Sequence, residues 1–448
     1  MRVAGVHRVP EAASLTRRHL STAVHFATRR RVNPVDSDAT AAGEAAAVRG
    51  RAPLPGEHFV AVIVGAGAAG LSLACHLAVA GWGDKVLIVD DGAHPLEQRS
   101  WAWWGTGTGL IDHAASTVVD DLWVAGTGWR RRMALAPYSY RRITGPELSA
   151  ATDRAIASRP GYRRVHGTVR ALARDGAGGR VSIDLAQPSG TRTIEVSARW
   201  VFDSVGLGEP AGRQEPAAYL DFHGLHIECP TDAFDPGAAT LMDFRTDQSA
   251  GAAFVYVLPT SARTALVERT VFAFSETYDI EAQRARHEGH VRDYLRGCLG
   301  VDAYRVTGCE IGTIALERGP AATAHGPVIP IGARAGMVKA STGYGFARIQ
   351  SHSAAIAWCL TRGRSPAGAA PAHRWHRALD EALLRVIRED PATAVEIFAS
   401  LLTRNPAPRI LSFLDEDASL LDQLRLFATL PLAPFARAQA HALRAART

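Results

Sequence analysis

The sequence predicts an α/β fold: a Rossmann-like dinucleotide-binding unit with a β-rich insertion and a helical C-terminal region. Three features predict it. Phe59–Asp90, FVAVIVGAGAAGLSLACHLAVAGWGDKVLIVD, reads as strand, glycine turn, helix and strand in succession. Alternating apolar and polar residues at Phe254–Leu258 and Ala265–Phe272 mark half-buried strands well downstream. Beyond His373 the apolar residues switch to helical spacing.

In the first unit, Gly65-x-Gly67-x-x-Gly70 follows the strand directly. Gly65 permits a tight turn, Gly67 lets backbone approach a pyrophosphate, and Gly70 lets helix and strand pack closely. The helix N-terminus offers free N–H groups and a positive dipole end to phosphate. Asp90 falls about 20 residues past the glycines, where a ribose-binding acid belongs.

An aromatic loop comes next, Gln98-Arg-Ser-Trp-Ala-Trp-Trp-Gly105, and Trp123–Arg142 reads as strand, turn and strand. Pro146–Arg159 has helical spacing, with proline suited to the first helical position. Strands follow at Arg164–Ala173 and Arg180–Leu185 around the glycine turn Asp175–Gly179, and Trp200–Val205 is a buried strand. The two later strands form a hairpin through Pro259–Arg263. Pro327–Gly332 is a late strand, and a helix runs from around Gly343 to about Leu360. In the C-terminal region Leu379, Leu383, Val386 and Ile387 share a face, and Val395–Leu402 and Leu420–Leu426 continue the helical pattern. No stretch of 18 apolar residues predicts a membrane span.

The net charge of +6 does not predict a nucleic-acid partner. Lys85 and Lys339 are the only lysines, and no basic stripe interleaves with aromatics. The five cysteines form no Cys-x-x-Cys pair, which predicts a reducing compartment without disulfides, and no metal site. Residues 1–57 carry Arg17-Arg18 and Arg29-Arg30-Arg31 among alanine, serine and threonine, without the apolar centre of a secretory signal. They read first as a disordered extension outside the fold, with a transit peptide or a start placed too far upstream as the alternatives. The sequence then divides into a nucleotide-binding part at 58–205, a β-rich substrate region at 206–325, a return to the nucleotide-binding unit at 326–365, and the helical region at 366–448.

Several further pieces occur in a fixed order. They are Arg99-x-Trp101, Tyr140-Arg-Arg-Ile143, Asp203-Ser204, Phe222-x-Gly224 and Leu241-Met-Asp-Phe-Arg-Thr-Asp-Gln248. Then come Phe254-Val-Tyr-Val-Leu-Pro259, Leu266-Val-Glu268, Glu310-x-Gly312, Gly332-x-Arg334-Ala-Gly336 and Ser341-Thr-Gly-Tyr-Gly-Phe346. With the glycine fingerprint, this order resembles the flavin-dependent lycopene cyclases of carotenoid biosynthesis, particularly the bacterial β-cyclase type. The resemblance implies an FAD-binding fold in which Gly65, Gly67, Gly70, Asp90, Arg99, Asp203, Gly332, Arg334, Gly336, Thr342 and Gly343 serve the cofactor. Backbone N–H groups at Thr342–Gly345 would face the flavin, where a helix N-terminus favours negative charge by roughly 0.3–2 kcal/mol.

The implied reaction is an isomerisation. A proton added to the terminal double bond of an acyclic C40 polyene gives a tertiary cation, the next double bond closes a six-membered ring, and proton loss gives the β end group. FAD acts reduced and is not consumed, and NAD(P)H supplies only the electrons that prime it. Such a site needs a carboxylic acid kept protonated by apolar burial, and aromatic faces for the cation. Trp101, Trp103, Trp104, Phe222, Phe254 and Tyr256 are candidates for the faces.

The acid is open on the sequence. Relatives commonly place a glutamate two residues after the glycine of Phe-x-Gly, where this chain has His226. Glu228 is the nearest acid, and period-two alternation puts both on one strand face. Glu228 is the leading candidate, with His226 as its partner or as the donor itself. Glu268 is second, although Arg269 stands where many relatives have another acid. Asp243 and Glu310 are further candidates. The hydrocarbon substrate implies a cytoplasmic protein associated peripherally with the inner face of the membrane, and Leu420–Phe435 is a candidate docking surface. Two rival functions share the fingerprint. One is a redox flavoprotein acting on isoprenoids or aromatics; the other is a non-catalytic binder of FAD or carotenoid.

Overall fold

The computed structural model describes residues 28–30, 51–187, 190–207, 216–275, 278–317, 322–370 and 374–438. The first half contains β1 (Thr28–Arg30), β2 (His58–Val64), α1 (Ala68–Val79), β3 (Val86–Asp90), β4 (Ser100–Gly105) and β5 (Thr117–Val119). It continues with β6 (Asp121–Gly126), β7 (Trp129–Ala134), β8 (Ser139–Thr144), α2 (Gly145–Ile156), β9 (Tyr162–His166), β10 (Thr168–Asp175), β11 (Gly178–Gln187) and β12 (Gly190–Asp203). The second half contains β13 (Ala218–Glu228), β14 (Ala238–Asp243), β15 (Ala253–Pro259), β16 (Thr264–Ala273), α3 (Ile280–Leu299), β17 (Arg305–Leu316) and β18 (Val328–Pro330). Helices α4 (Phe346–Thr361), α5 (Arg374–Glu389), α6 (Pro391–Arg404), α7 (Ala407–Leu414) and α8 (Leu420–Phe427) follow.

The α/β fold read from the sequence is the one observed. Strands β9, β3, β2, β12 and β18 pair in parallel in that order, and the antiparallel β10–β11 ribbon extends β12. Helices α1, α2 and α4 pack against this sheet through a continuous apolar core that includes Leu71, Leu77, Leu148, Ile156 and Ile356. Helix α2 begins in a capping box: Thr144 Oγ1 accepts the Glu147 N–H and the Glu147 carboxylate accepts the Thr144 N–H. The carboxyl ends of the parallel strands, Val64, Asp90 and Pro330, all face one side, where α/β sheets hold ligands.

A second sheet of eight strands runs in the order β1-β17-β13-β16-β15-β14-β6-β7. Hairpin β6–β7 lies, in sequence, inside the stretch 58–205, yet β6 pairs with β14 and so belongs to this large sheet. One sheet face packs on α3 through Leu225, Val255, Val267, Val291 and Leu295. The sequence pattern leaves α3 unassigned because its buried stripe is only His287, Val291, Tyr294 and Leu295 on an otherwise polar helix. The other face meets the C-terminal helices, where the Phe398 ring stacks against Phe244 and Phe272. A three-stranded sheet, β4-β8-β5, lies between the two halves. Of the residues expected to form an N-terminal extension, Thr28–Arg30 pairs with β17 and 51–57 lead into β2; the others lie outside the described residues.

Candidate active site

A cleft opens at the carboxyl ends of β2 and β3. It is lined by Gly65, Gly67, Asp90, Arg99, Gly332 and Arg334, among others. Gly65 has φ +93°, and a Cβ there would lie 2.2 Å from Ser204 Oγ, so only glycine makes this turn. A Cβ on Gly70 would lie 1.9 Å from the Gly65 carbonyl oxygen; helix and loop touch because it is missing. Gly67 differs: a Cβ there meets only Arg99 Nη1, at 3.5 Å, so its face opens on the cleft. No side chain caps α1 at Gly67, and its first amides are left for an anion. Asp90 accepts the Ala66 N–H at 2.6 Å and the Gly92 N–H at 2.9 Å, tying the glycine loop to the turn after β3. Asp203 lies just outside the cleft lining, where it accepts the Val205 and Gly206 N–H groups and faces Arg334. These residues fit a dinucleotide: an open backbone cradle for the pyrophosphate, arginines in the same cleft and the Asp90 carboxylate at the end of β3.

A second cavity lies between the large sheet and β4–β8. Leu220, Phe222, Tyr256, Leu258, Leu266 and Ile314 line it from the sheet, Trp101 and Tyr140 from the opposite side. Thr342–Phe346 closes it on the side of the nucleotide-binding unit. Gly343 has φ +73°, with Leu220 Cδ1 2.5 Å from where a Cβ would be, so this turn seats against the sheet only as glycine. The turn delays α4 to Phe346, three residues later than the sequence pattern predicts. As a result the Thr342 and Gly343 N–H groups donate back to the Lys339 carbonyl rather than toward a ligand. The expected helix start around Gly343 is therefore corrected to Phe346, and the Thr342 and Gly343 amides lie in the turn ahead of the helix.

Two carboxylates enter this second cavity, Glu268 and Glu310. Glu310 accepts from Arg142 Nη2 at 3.2 Å and is 2.7 Å from His226 Nε2. Ser100 Oγ donates to its other oxygen at 3.5 Å. Glu268 faces apolar walls, with Thr270 Oγ1 donating at 3.5 Å. Burial, reinforced by the Glu310 charge and only partly offset by Arg142, pushes the Glu268 carboxyl up to about 8. Three tyrosines stand nearby: Tyr140 and Tyr344 share a hydrogen bond of 2.9 Å, and Tyr256 bonds Tyr344. Burial raises all three phenols, Tyr140 to about 12, so they are neutral donors at any ordinary pH.

The structure sorts the sequence candidates. Glu228 shares a strand face with His226 as expected, but it is exposed at the far end of β13 and ion-paired with Arg305. It is not among the residues that line the cavity, whose wall on this side ends at Leu266, the cross-strand partner of His226. His226 is buried and reaches the cavity through Glu310. Asp243 is held by Arg245 and Tyr294, away from the cavity. Of the six aromatic candidates, Trp101, Phe222 and Tyr256 line the cavity. Trp103 packs at a tilt against Phe346, Trp104 donates to Asp415, and Phe254 packs among Phe244, Tyr256 and Phe272. Arg142, Tyr140 and Tyr344 were not singled out from the sequence, although each sits in a motif it contained. Among the described residues no group of His, Cys, Asp and Glu could hold a metal ion.

Fold and clefts together define a Rossmann-like flavoprotein architecture. Its solved neighbours include a geranylgeranyl bacteriochlorophyll reductase-like protein from Thermoplasma acidophilum, with TM-score 0.57 and 12% identity over 86% of this chain and 99% of that one. The flavin-dependent brominase Bmp2 aligns with TM-score 0.57 and 14% identity over 87% and 99%. HpxO of Klebsiella pneumoniae, solved with FAD, gives 0.53 and 15% over 84% and 100%. The chain belongs to the lycopene cyclase family, whose profile matches residues 61–440. It is 30% identical to a lycopene beta-cyclase of Paracoccus sp. over 255 residues, 52% of this chain and 62% of that protein. The match thus spans under two thirds of that relative's length.

Proposed function

We propose that the protein is a lycopene β-cyclase, an isomerase that closes acyclic ψ-end groups into β-ionone rings without net redox change. The observation that carries this reading is Glu268: a carboxyl favouring its protonated form near neutrality, inside a cavity walled by aromatic and aliphatic side chains. Glu268 delivers its proton to the terminal double bond of the polyene. The faces of Trp101, Phe222 and Tyr256 stabilise the tertiary cation that results. Leu220, Leu258, Leu266 and Ile314 exclude water that would otherwise capture it. The next double bond closes the ring, and a ring proton returns to the Glu268 carboxylate left by the first step, restoring both neutrality and the acid.

In this proposal Gly67, Asp90, Arg99, Gly332 and Arg334 hold FAD in the first cleft, while Gly65, Gly70, Asp203 and Gly336 shape the loops around it. Reduced FAD, when bound, supplies negative charge that stabilises the cation, and NAD(P)H serves only to prime it. Because lycopene resides in bilayers, the protein works in the cytoplasm against the inner face of the membrane. No helix among the described residues is long and apolar enough to cross a membrane, and the contact proposed is peripheral. The exposed leucines of α8 are the proposed contact. Expression in a bacterium engineered to accumulate lycopene tests the function. Chromatography should show cyclised carotenoid at lycopene's expense; unchanged lycopene beside folded protein would remove the reading.

A further inference from the structure

Gly224 occupies the centre of the large sheet, and its two neighbours across the strands are Glu268 on β16 and Glu310 on β17. Residues directly opposite one another share a sheet face, so both glutamates project from the face Gly224 would occupy if it had a side chain. Their Cα atoms are two strand spacings apart, about 9.6 Å. A Cβ on Gly224 would lie 3.1 Å from Glu268 Cβ and 3.2 Å from its Oε2, so the Glu268 carboxyl leans over the glycine. Two buried acids thus approach across a gap that only glycine leaves open.

The surroundings of the two acids differ. Glu310 has Arg142, His226 and Ser100 around its oxygens, an environment for an anion. Glu268 has leucine, threonine and aromatic neighbours. Close carboxyls resist double ionisation, so the better-solvated member ionises and the other keeps the proton. We propose that Glu268 and Glu310 form a one-proton carboxyl pair across Gly224, in which Glu310 is a positioning residue that keeps Glu268 protonated, and His226 and Arg142 hold Glu310 ionised. This rests on the cyclase reading for its catalytic meaning, but the pair itself does not. Among the described residues that line the cavity, the other ionisable groups are Arg142 and the neutral Tyr140, Tyr256 and Tyr344, with no third carboxylate; on β1, Arg29 stands in register with Glu310.

Glu310→Gln keeps the volume and removes the charge. Glu268 then gives up its proton more readily, and the alkaline limb of the pH–rate profile moves to lower pH by roughly one to three pH units. Glu310→Asp retains the charge and should return the limb toward its wild-type position. Infrared titration of FAD-loaded protein gives a readout independent of turnover. A protonated-carboxyl C=O band should persist above neutral pH, vanish in Glu268→Gln, and disappear at lower pH in Glu310→Gln. If Glu310→Gln fails to fold, the band in Glu268→Gln decides, because its persistence there would assign the proton to another acid. An unmoved limb and band in folded Glu310→Gln overturn the pair. A wild type that forms no ring removes the cyclase reading while the infrared band still tests the pair.

Discussion

A proton donor to an isolated alkene must be neutral when the substrate arrives and sheltered from water afterwards. Glu268 meets both conditions and Glu228 meets neither, since Glu228 is exposed and ion-paired with Arg305. Glu268→Gln should retain the fold and FAD while losing about 10²–10⁴-fold in cyclisation, the usual worth of general acid catalysis. Glu228→Gln should cyclise at the wild-type rate, measured as ring product per bound FAD; a dead Glu228→Gln would return the acid to β13. Strand parity in the sequence identified faces correctly, placing His226 with Glu228 on one face of β13. Parity carries no information on depth: the cavity wall ends at Leu258 and Leu266, level with His226, and Glu228 lies beyond it in solvent. Nor could a motif glycine reveal that Gly224 is the gap between two acids, because that depends on which strands flank β13.

At the level of elements, the glycine loop and α1 were fully legible, since each glycine has a separate steric cause. Gly67→Val should fold normally yet bind no FAD, checked by flavin absorbance and melting temperature, because its side chain enters the open cleft. Gly70→Ala should instead fail to accumulate folded protein, as its methyl group has no room against the Gly65 carbonyl. Helix α3 escaped the sequence because so little of its surface is apolar, and the start of α4 was misplaced because Gly343 requires a left-handed turn. The C-terminal helices were visible as helices, but not their anchor. Lys339 is buried between Asp380 of α5, at 2.9 Å, and Glu416 just past α7, at 3.0 Å, and Arg348 also bonds Glu416. Lys339→Met leaves two buried carboxylates short of their cation. It should cost about 3–5 kcal/mol, the range for breaking a buried pair, read by denaturant unfolding. A loss under about 1 kcal/mol would show that the remaining charges re-pair.

Across the whole molecule, the Thr342–Phe346 turn lines the apolar cavity and α4, which follows it, lines the nucleotide cleft at Ile349, while the C-terminal helices close the large sheet. Leu420, Leu421, Leu424 and Leu432 remain 73%, 55%, 57% and 56% exposed, beside a 58% exposed Trp375. If this end meets the bilayer, Leu421→Glu with Leu424→Glu should reduce co-sedimentation with phospholipid vesicles while leaving FAD binding intact. Equal sedimentation would place the contact elsewhere. The central claim is that this flavoprotein architecture performs an isomerisation, so electron balance is its most direct test. Protein loaded with FAD, reduced once and kept anaerobic, should cyclise many equivalents of lycopene with no further NAD(P)H, giving a product of unchanged formula. Turnover that stops after one equivalent, or a product differing by oxygen or by two hydrogens, would contradict it.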